Sequence, residues 1–102
     1  MGIIITEDNG PPSFTLHGVE LGGSFDWLFK NGKWEMKKFH FQETKISGKE
    51  LKKLADASKA ELDVVLKLKN GNGKARIGSL YYEPISGTLK EITIELVEWD
   101  II

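Results

Sequence analysis

The chain has no cysteine among its 102 residues, which excludes disulfides, thiolate metal sites and cysteine nucleophiles outright. It has only three prolines, two of them adjacent at Pro11-Pro12, so little of the backbone is barred from regular structure. No apolar run approaches the roughly 18 residues of a membrane-spanning helix. There is no excess of one charge either. The formal net charge is -1 and the isoelectric point about 6.1, against the strong basic surplus of a dedicated duplex-DNA binder. The N-terminal MGIIITEDNG has no basic flank and too short an apolar stretch for a signal peptide. Gly2 stands where a myristoyl acceptor would, with Thr6 at the Ser/Thr position, but the acidic Glu7 and Asp8 follow it directly. These absences predict a cytoplasmic, or virus-encoded intracellular, protein.

What is present is an ordinary globular composition, 40% hydrophobic and 28% charged, sufficient at this length for one domain, residues 1-102, with one core. Its strongest local signal is Asn31-Gly32, set between the aromatic runs Phe25–Lys30 and Lys33–Phe41. Both central residues of a type I′ turn need positive φ, which Gly adopts freely and Asn more readily than most. With Asn31-Gly32 as a two-residue loop, Lys30 faces Lys33, Phe29 faces Trp34, Trp27 faces Met36 and Asp26 faces Lys37. Phe25, Trp27, Phe29, Trp34 and Met36 then share one face of the hairpin. Phe39 and Phe41 would fall on the other, and an extra residue at Lys37-Lys38, a β-bulge, would return them.

Around this hairpin the chain reads as short strands and one helix. Ile3–Ile5 is strand-like and ends at the Glu7–Pro12 turn. Ser13–Leu21 alternates as a single strand, with Phe14 and Leu16 on one side and Thr15, His17 and Val19 on the other, until Gly22-Gly23 breaks it. Ser47-Gly48-Lys49-Glu50 is a capping box opening a helix over about residues 48–59, with Leu51, Leu54, Ala55 and Ser58 on its inner face. Leu62, Val64, Leu66 and Leu68 point inward from the next strand. Asn70–Gly73 turns it, and every register those residues allow leaves Ala75, Ile77, Ser79 and Tyr81 on the same side. After a connection at Glu83–Gly87, the last strand turns Ile92, Ile94 and Leu96 inward, then Val97, Trp99 and Ile101, implying a bulge near Glu98. The fold class is α+β: a mostly antiparallel, partly rolled sheet or small barrel or sandwich, in the order β-β-β-β-α-β-β-β.

Motifs for chemistry are sparse. His17 and His40, with Glu20 or Glu43, are the available metal ligands, but no HxH or HxxxH spacing supports a site. Glu91, Glu95 and Glu98 read as a solvated face opposite Lys67 and Lys69. Gly71-Asn72-Gly73-Lys74 lacks phosphate-loop spacing and precedes a strand, so it reads as a hairpin turn. No catalytic residue, cofactor or metal is indicated. Two binding readings remain. In the first, the apolar terminal strands, with Ile3, Ile5, Trp99 and Ile101, pair with each other, or by edge addition with another protein or a second copy, as in an inhibitor, an adaptor or an assembly subunit. In the second, Trp27, Phe29 and Trp34 stack bases of a single-stranded nucleic acid while Lys30, Lys33, Lys37 and Lys38 meet its phosphates, in the manner of an OB-like barrel.

Overall fold

A computed structural model of the chain describes residues 3–6 and 13–101. Gly2, the turn at residues 7–12 and Ile102 lie outside the described residues. The elements are β1 (Ile3–Thr6), β2 (Ser13–Leu16), β3 (Val19–Lys30), β4 (Lys33–Gln42), β5 (Thr44–Lys45), α1 (Gly48–Lys59), β6 (Val64–Leu68), β7 (Gly71–Glu83) and β8 (Thr88–Ile101). This is the expected α+β order, with a two-residue strand added before the helix. All the strand pairings are antiparallel.

The hairpin at Asn31-Gly32 forms as its residues require, with φ of 53° and 77°. Lys30 faces Lys33, Phe29 faces Trp34 and Trp27 faces Met36. The register then shifts, so that Asp26 faces Lys38 rather than Lys37. The extra residue is the anticipated bulge. It returns Phe39 and Phe41 to the side of Trp34 and Met36, where all four pack against the core.

The segment Ser13–Leu21 is not one strand. His17 and Gly18 both take positive φ, 52° and 80°, and make a two-residue turn between β2 and β3. Val19, expected opposite Phe14 and Leu16, therefore joins them in the core. Nor does Gly22-Gly23 end a strand, because β3 runs straight through it. A Cβ on Gly23 would lie 2.4 Å from the carbonyl oxygen of His40, so glycine here admits close backbone approach instead of breaking the ladder.

Further registers differ from those the residue pattern suggests. The β6–β7 loop is Lys69-Asn70 rather than a turn within residues 70–73, because residues 71–73 belong to β7. The register differs from the expected ones by an even step, so Ala75 and Ile77 still point inward. A shift between Ile77 and Leu80 then turns Leu80 and Tyr82 toward the core, leaving Ser79 and Tyr81 outside. On β8 the skipped residue is Val97, since Lys74 faces Glu98 and Ala75 faces Leu96. Trp99 therefore packs inward as anticipated, whereas Val97 is 43% exposed. Leu62 precedes β6 and is half exposed, so it is not part of the inner row.

The helix carries both halves of its capping box: Glu50 N–H donates to Ser47 Oγ at 3.1 Å, and Ser47 N–H donates to Glu50 Oε1 at 2.9 Å. Its buried residues are Leu54 and Ala57, so the inner face is rotated slightly from the one expected through Ala55. Ser58 Oγ donates to the Gly78 carbonyl at 2.6 Å and ties the helix to β7.

The sheet has the order β4-β3-β2-β6-β7-β8-β5, with β1 also on β3. The run of chain that lies beside β3 as β4 reaches β8 as β5 only two residues later, with Thr44 facing Leu89 and Lys45 facing Thr88. The sheet thus curls into a half-barrel. Thr44 pins the corner, its Oγ1 accepting from Gly22 N–H and donating to the Gln42 carbonyl, both at 2.8 Å. Inside lie Phe14, Leu16, Leu21, Phe25, Trp27, Leu54, Leu66, Ala75 and Leu89. The rings interlock, with Phe25 stacked on Phe39 at 4.7 Å and Phe14 edge-on to Phe25 at 5.2 Å.

This arrangement has two measurable consequences. A Cβ at Gly73 would fall 2.1 Å from the Glu98 carbonyl oxygen, and strand backbone does not yield as a side chain does. Gly73→Ala is expected to destabilise by about 3 kcal/mol, the upper end of overpacking costs, measured by urea unfolding. In the β7–β8 turn, Glu83 accepts from the backbone and hydroxyl of Ser86 and from the backbone of Ile85, which holds its carboxyl below the usual glutamate range. A depressed folded value gives stability that is present above the unfolded value and lost as pH falls through the folded one. Acid unfolding of Glu83→Gln should accordingly be shallower than that of the parent across the carboxylate range.

Candidate functional site

The curl leaves a seam. Among the described residues β4 pairs only with β3, and β8 pairs with β7 along its length but with β5 only at Thr88 and Leu89. Within that set, the outer edges of β4 and of β8 beyond Leu89 are without ladder partners, and each carries a row of strong donors and acceptors. The seam is fastened at both ends. At one end is the β5–β8 pairing with the Lys90–Glu43 ion pair at 3.2 Å. At the other, Trp99 Nε1 donates to the carbonyl of Trp34 at 2.7 Å. There a surface cleft of about 360 Å³ is lined by Lys33, Trp34, Val97, Glu98, Trp99 and Asp100.

Trp99 is placed by two features of β8. The bulge at Val97 turns its ring inward, and it meets the buried Trp27 ring at 5.8 Å. Trp27 is wholly buried and its indole N–H finds no acceptor among the described residues, so it forms the inner wall behind Trp99. Beside it Phe29 and Trp34 lie ring to ring at 5.0 Å. The three aromatic residues that would stack nucleobases are thus engaged with one another or with the core. Lys30, Lys33, Lys37 and Lys38 are exposed on and beyond the turn, without an open aromatic platform between them.

Among the described residues the terminal strands do not pair with each other. β1 lies on β3, with Ile3 facing Phe29 and Ile5 facing Trp27, and β8 lies on β7, with Ile101 facing Gly71. Trp99 and Ile101 thus belong to the open edge of β8, while Ile3 and Ile5 sit across β3 from β4.

Outward from β8 project Glu91, Glu95, Glu98 and Asp100. Across the β7 ladder Glu98 meets Lys74, paired at 3.7 Å, and Glu95 stands opposite Arg76, while Glu91 faces Tyr81 and Asp100 faces Asn72. Asp63 holds Arg76 more closely, at 2.7 Å, and raises its pKa further. Alternation sets β8 against β6, whereas the β7 hairpin intervenes. Val97 is the surface residue of this edge that alternation places on the wrong side, because its exposure depends on a bulge that leaves no mark in the residue pattern.

His17 lies in the β2–β3 turn and His40 in β4. His40 Nε2 lies 3.0 Å from Asp26 Oδ2 on the outer face of the hairpin. Among the described residues no three His, Asp or Glu side chains converge on a metal position, and no helix is long and apolar enough to cross a membrane.

Trp99→Phe keeps a ring against Trp27 but removes the donor to Trp34. The expected loss is about 1 kcal/mol, read from urea unfolding, with faster amide exchange at Lys33–Met36. Comparison of the chain with family models, with curated proteins and with solved structures finds no match.

Proposed function

We propose that the protein is a non-catalytic binding module that takes up an extended segment of another protein along the outer edge of β8. The observation that carries this reading is the stretch of β8 beyond Leu89, a long strand whose outer edge, like that of β4 across the seam, has no ladder partner among the described residues. Such an edge pairs by main-chain hydrogen bonds, and alternate side chains of the added strand set specificity.

The side chains around the edge describe the partner. On the inner side, Ile94, Leu96 and Trp99 are half-buried and would receive apolar residues. On the outer side, Glu91, Glu95, Glu98 and Asp100 favour lysine or arginine at alternate positions. The same four acids set two β8 edges against each other, because like charges directly opposite are destabilising in a sheet. They thereby guard the edge against self-pairing, a usual device of exposed strands. The nucleic-acid reading has less support, since Trp27 is buried and Phe29 and Trp34 occupy each other.

The test compares two alternating peptides, one apolar/Lys and one apolar/Glu, by amide exchange and titration. The basic peptide is expected to bind more tightly, to protect amides of Ile92–Glu98 and to lose affinity in Val97→Lys. Equal affinity for the two peptides, or protection elsewhere on the sheet, would overturn the reading.

A further inference from the structure

A second concavity lies away from the seam, where the β2–β3 turn meets β6 and the helix. Its volume is about 310 Å³ and its lining is Thr15, His17, Gly18, Lys53, Val65 and Lys67. Two lysines, a histidine and a hydroxyl line it, and among the described residues no carboxylate does. Glu20 faces Thr15 across the β2–β3 ladder but is not part of the lining.

Among the described residues Lys53 and Lys67 have no ion pair or side-chain hydrogen bond, although Lys52, Lys74 and Lys90 each find a carboxylate within 4.0 Å. Lys52, next to Lys53 in sequence, is held by Asp56 at 2.9 Å. Lys53 instead lies over the turn, its ammonium 2.8 Å from where a Cβ of Gly18 would stand. Glycine is favoured there by φ of +80°, whereas the ammonium, at the far end of a flexible side chain, would move aside for a Cβ. The turn is also fastened from behind, since His17 N–H donates to the Val65 carbonyl at 2.8 Å. Lys67 stands opposite Thr15 across the β2–β6 ladder, so the cation and the hydroxyl are neighbours on one face.

Two uncompensated ammonium groups gathered about a preset turn, with a hydroxyl and an imidazole beside them, suit a compact anion that accepts several hydrogen bonds at once. We propose that this concavity binds a phosphate monoester, with Lys53 and Lys67 pairing its oxygens and Thr15 and His17 completing the shell. The pocket exceeds the volume of phosphate alone, and the partly exposed Val65 offers an apolar wall to the group that carries it.

Titration with inorganic phosphate, followed by amide NMR, tests the site on the intact chain. Saturable shifts are expected at Thr15, Gly18 and Val65, and Lys53→Gln and Lys67→Gln should each weaken binding about tenfold, as loss of a charge-assisted hydrogen bond does. Lys49→Gln makes the same charge change elsewhere on the helix and should leave affinity unaltered. All three lysines are exposed, so the variants keep the core intact. Phosphoserine and phosphatidic acid vesicles distinguish a free monoester from a lipid headgroup. Absence of shifts at millimolar phosphate, shifts confined to other residues, or equal weakening by Lys49→Gln would overturn the proposal. Failure here leaves the β8 edge untouched, because the two sites share no residue.

Discussion

One extra residue, Lys37, holds this architecture together. Without it, Trp34 and Met36 would face the core while Phe39 and Phe41 faced water. With it, β4 lays four large side chains against the rings of β3. Bringing several aromatic side chains out of water is the largest single stabilisation available to so small a chain. A β-bulge also sharpens the local twist, so the residue that gathers the aromatics also adds to the coiling of the hairpin.

The incomplete closure follows from the same geometry. β4 and β5 are nearly one run of chain, yet only the two residues of β5 reach β8 in ladder register. Above them the Trp99 indole reaches from β8 to the Trp34 carbonyl, and a side-chain hydrogen bond takes the place of the backbone ladder. The sheet therefore ends in an edge instead of a closed wall. In the binding mode proposed above, the acidic row on β8 would disfavour pairing of that edge with its own kind.

Much of the fold is legible in the residues. The positive φ demanded at Asn31-Gly32, the capping box at Ser47–Glu50 and the helix at 48–59 are local signals with local causes, and all three stand in the structure. The bulge at Lys37 is legible too, because four large apolar side chains out of phase give a strong reason to re-phase them. Alternation puts the bulge of β8 at Glu98, one residue from its place at Val97, since Val97 and Trp99 are both apolar and the pattern cannot rank them. His17-Gly18 passes for strand interior because it lacks the Asn-Gly or Asp-Gly signature of a tight hairpin turn. Gly22-Gly23 passes for a break because its close approach to β4 is invisible without the neighbour.

The proposed binding surfaces divide in the same way. Trp99 and Ile101 stand out at the apolar end of the chain, and both belong to β8. The burial of Trp27 and the cluster of Thr15, His17, Lys53 and Lys67 do not stand out, because the latter joins residues from β2, the β2–β3 turn, α1 and β6 that no spacing connects.

By itself the sequence determined the α+β class, the element order, the two-residue turn at Asn31-Gly32 and the side of the hairpin that carries the rings, since each rests on backbone preference or on the two-residue period of a strand. Only the tertiary structure decided which strands became neighbours, where the half-barrel stopped closing and which lysines gathered about the β2–β3 turn. Those depend on contacts between segments remote in the chain, and their free energies exist only once the sheet has curled.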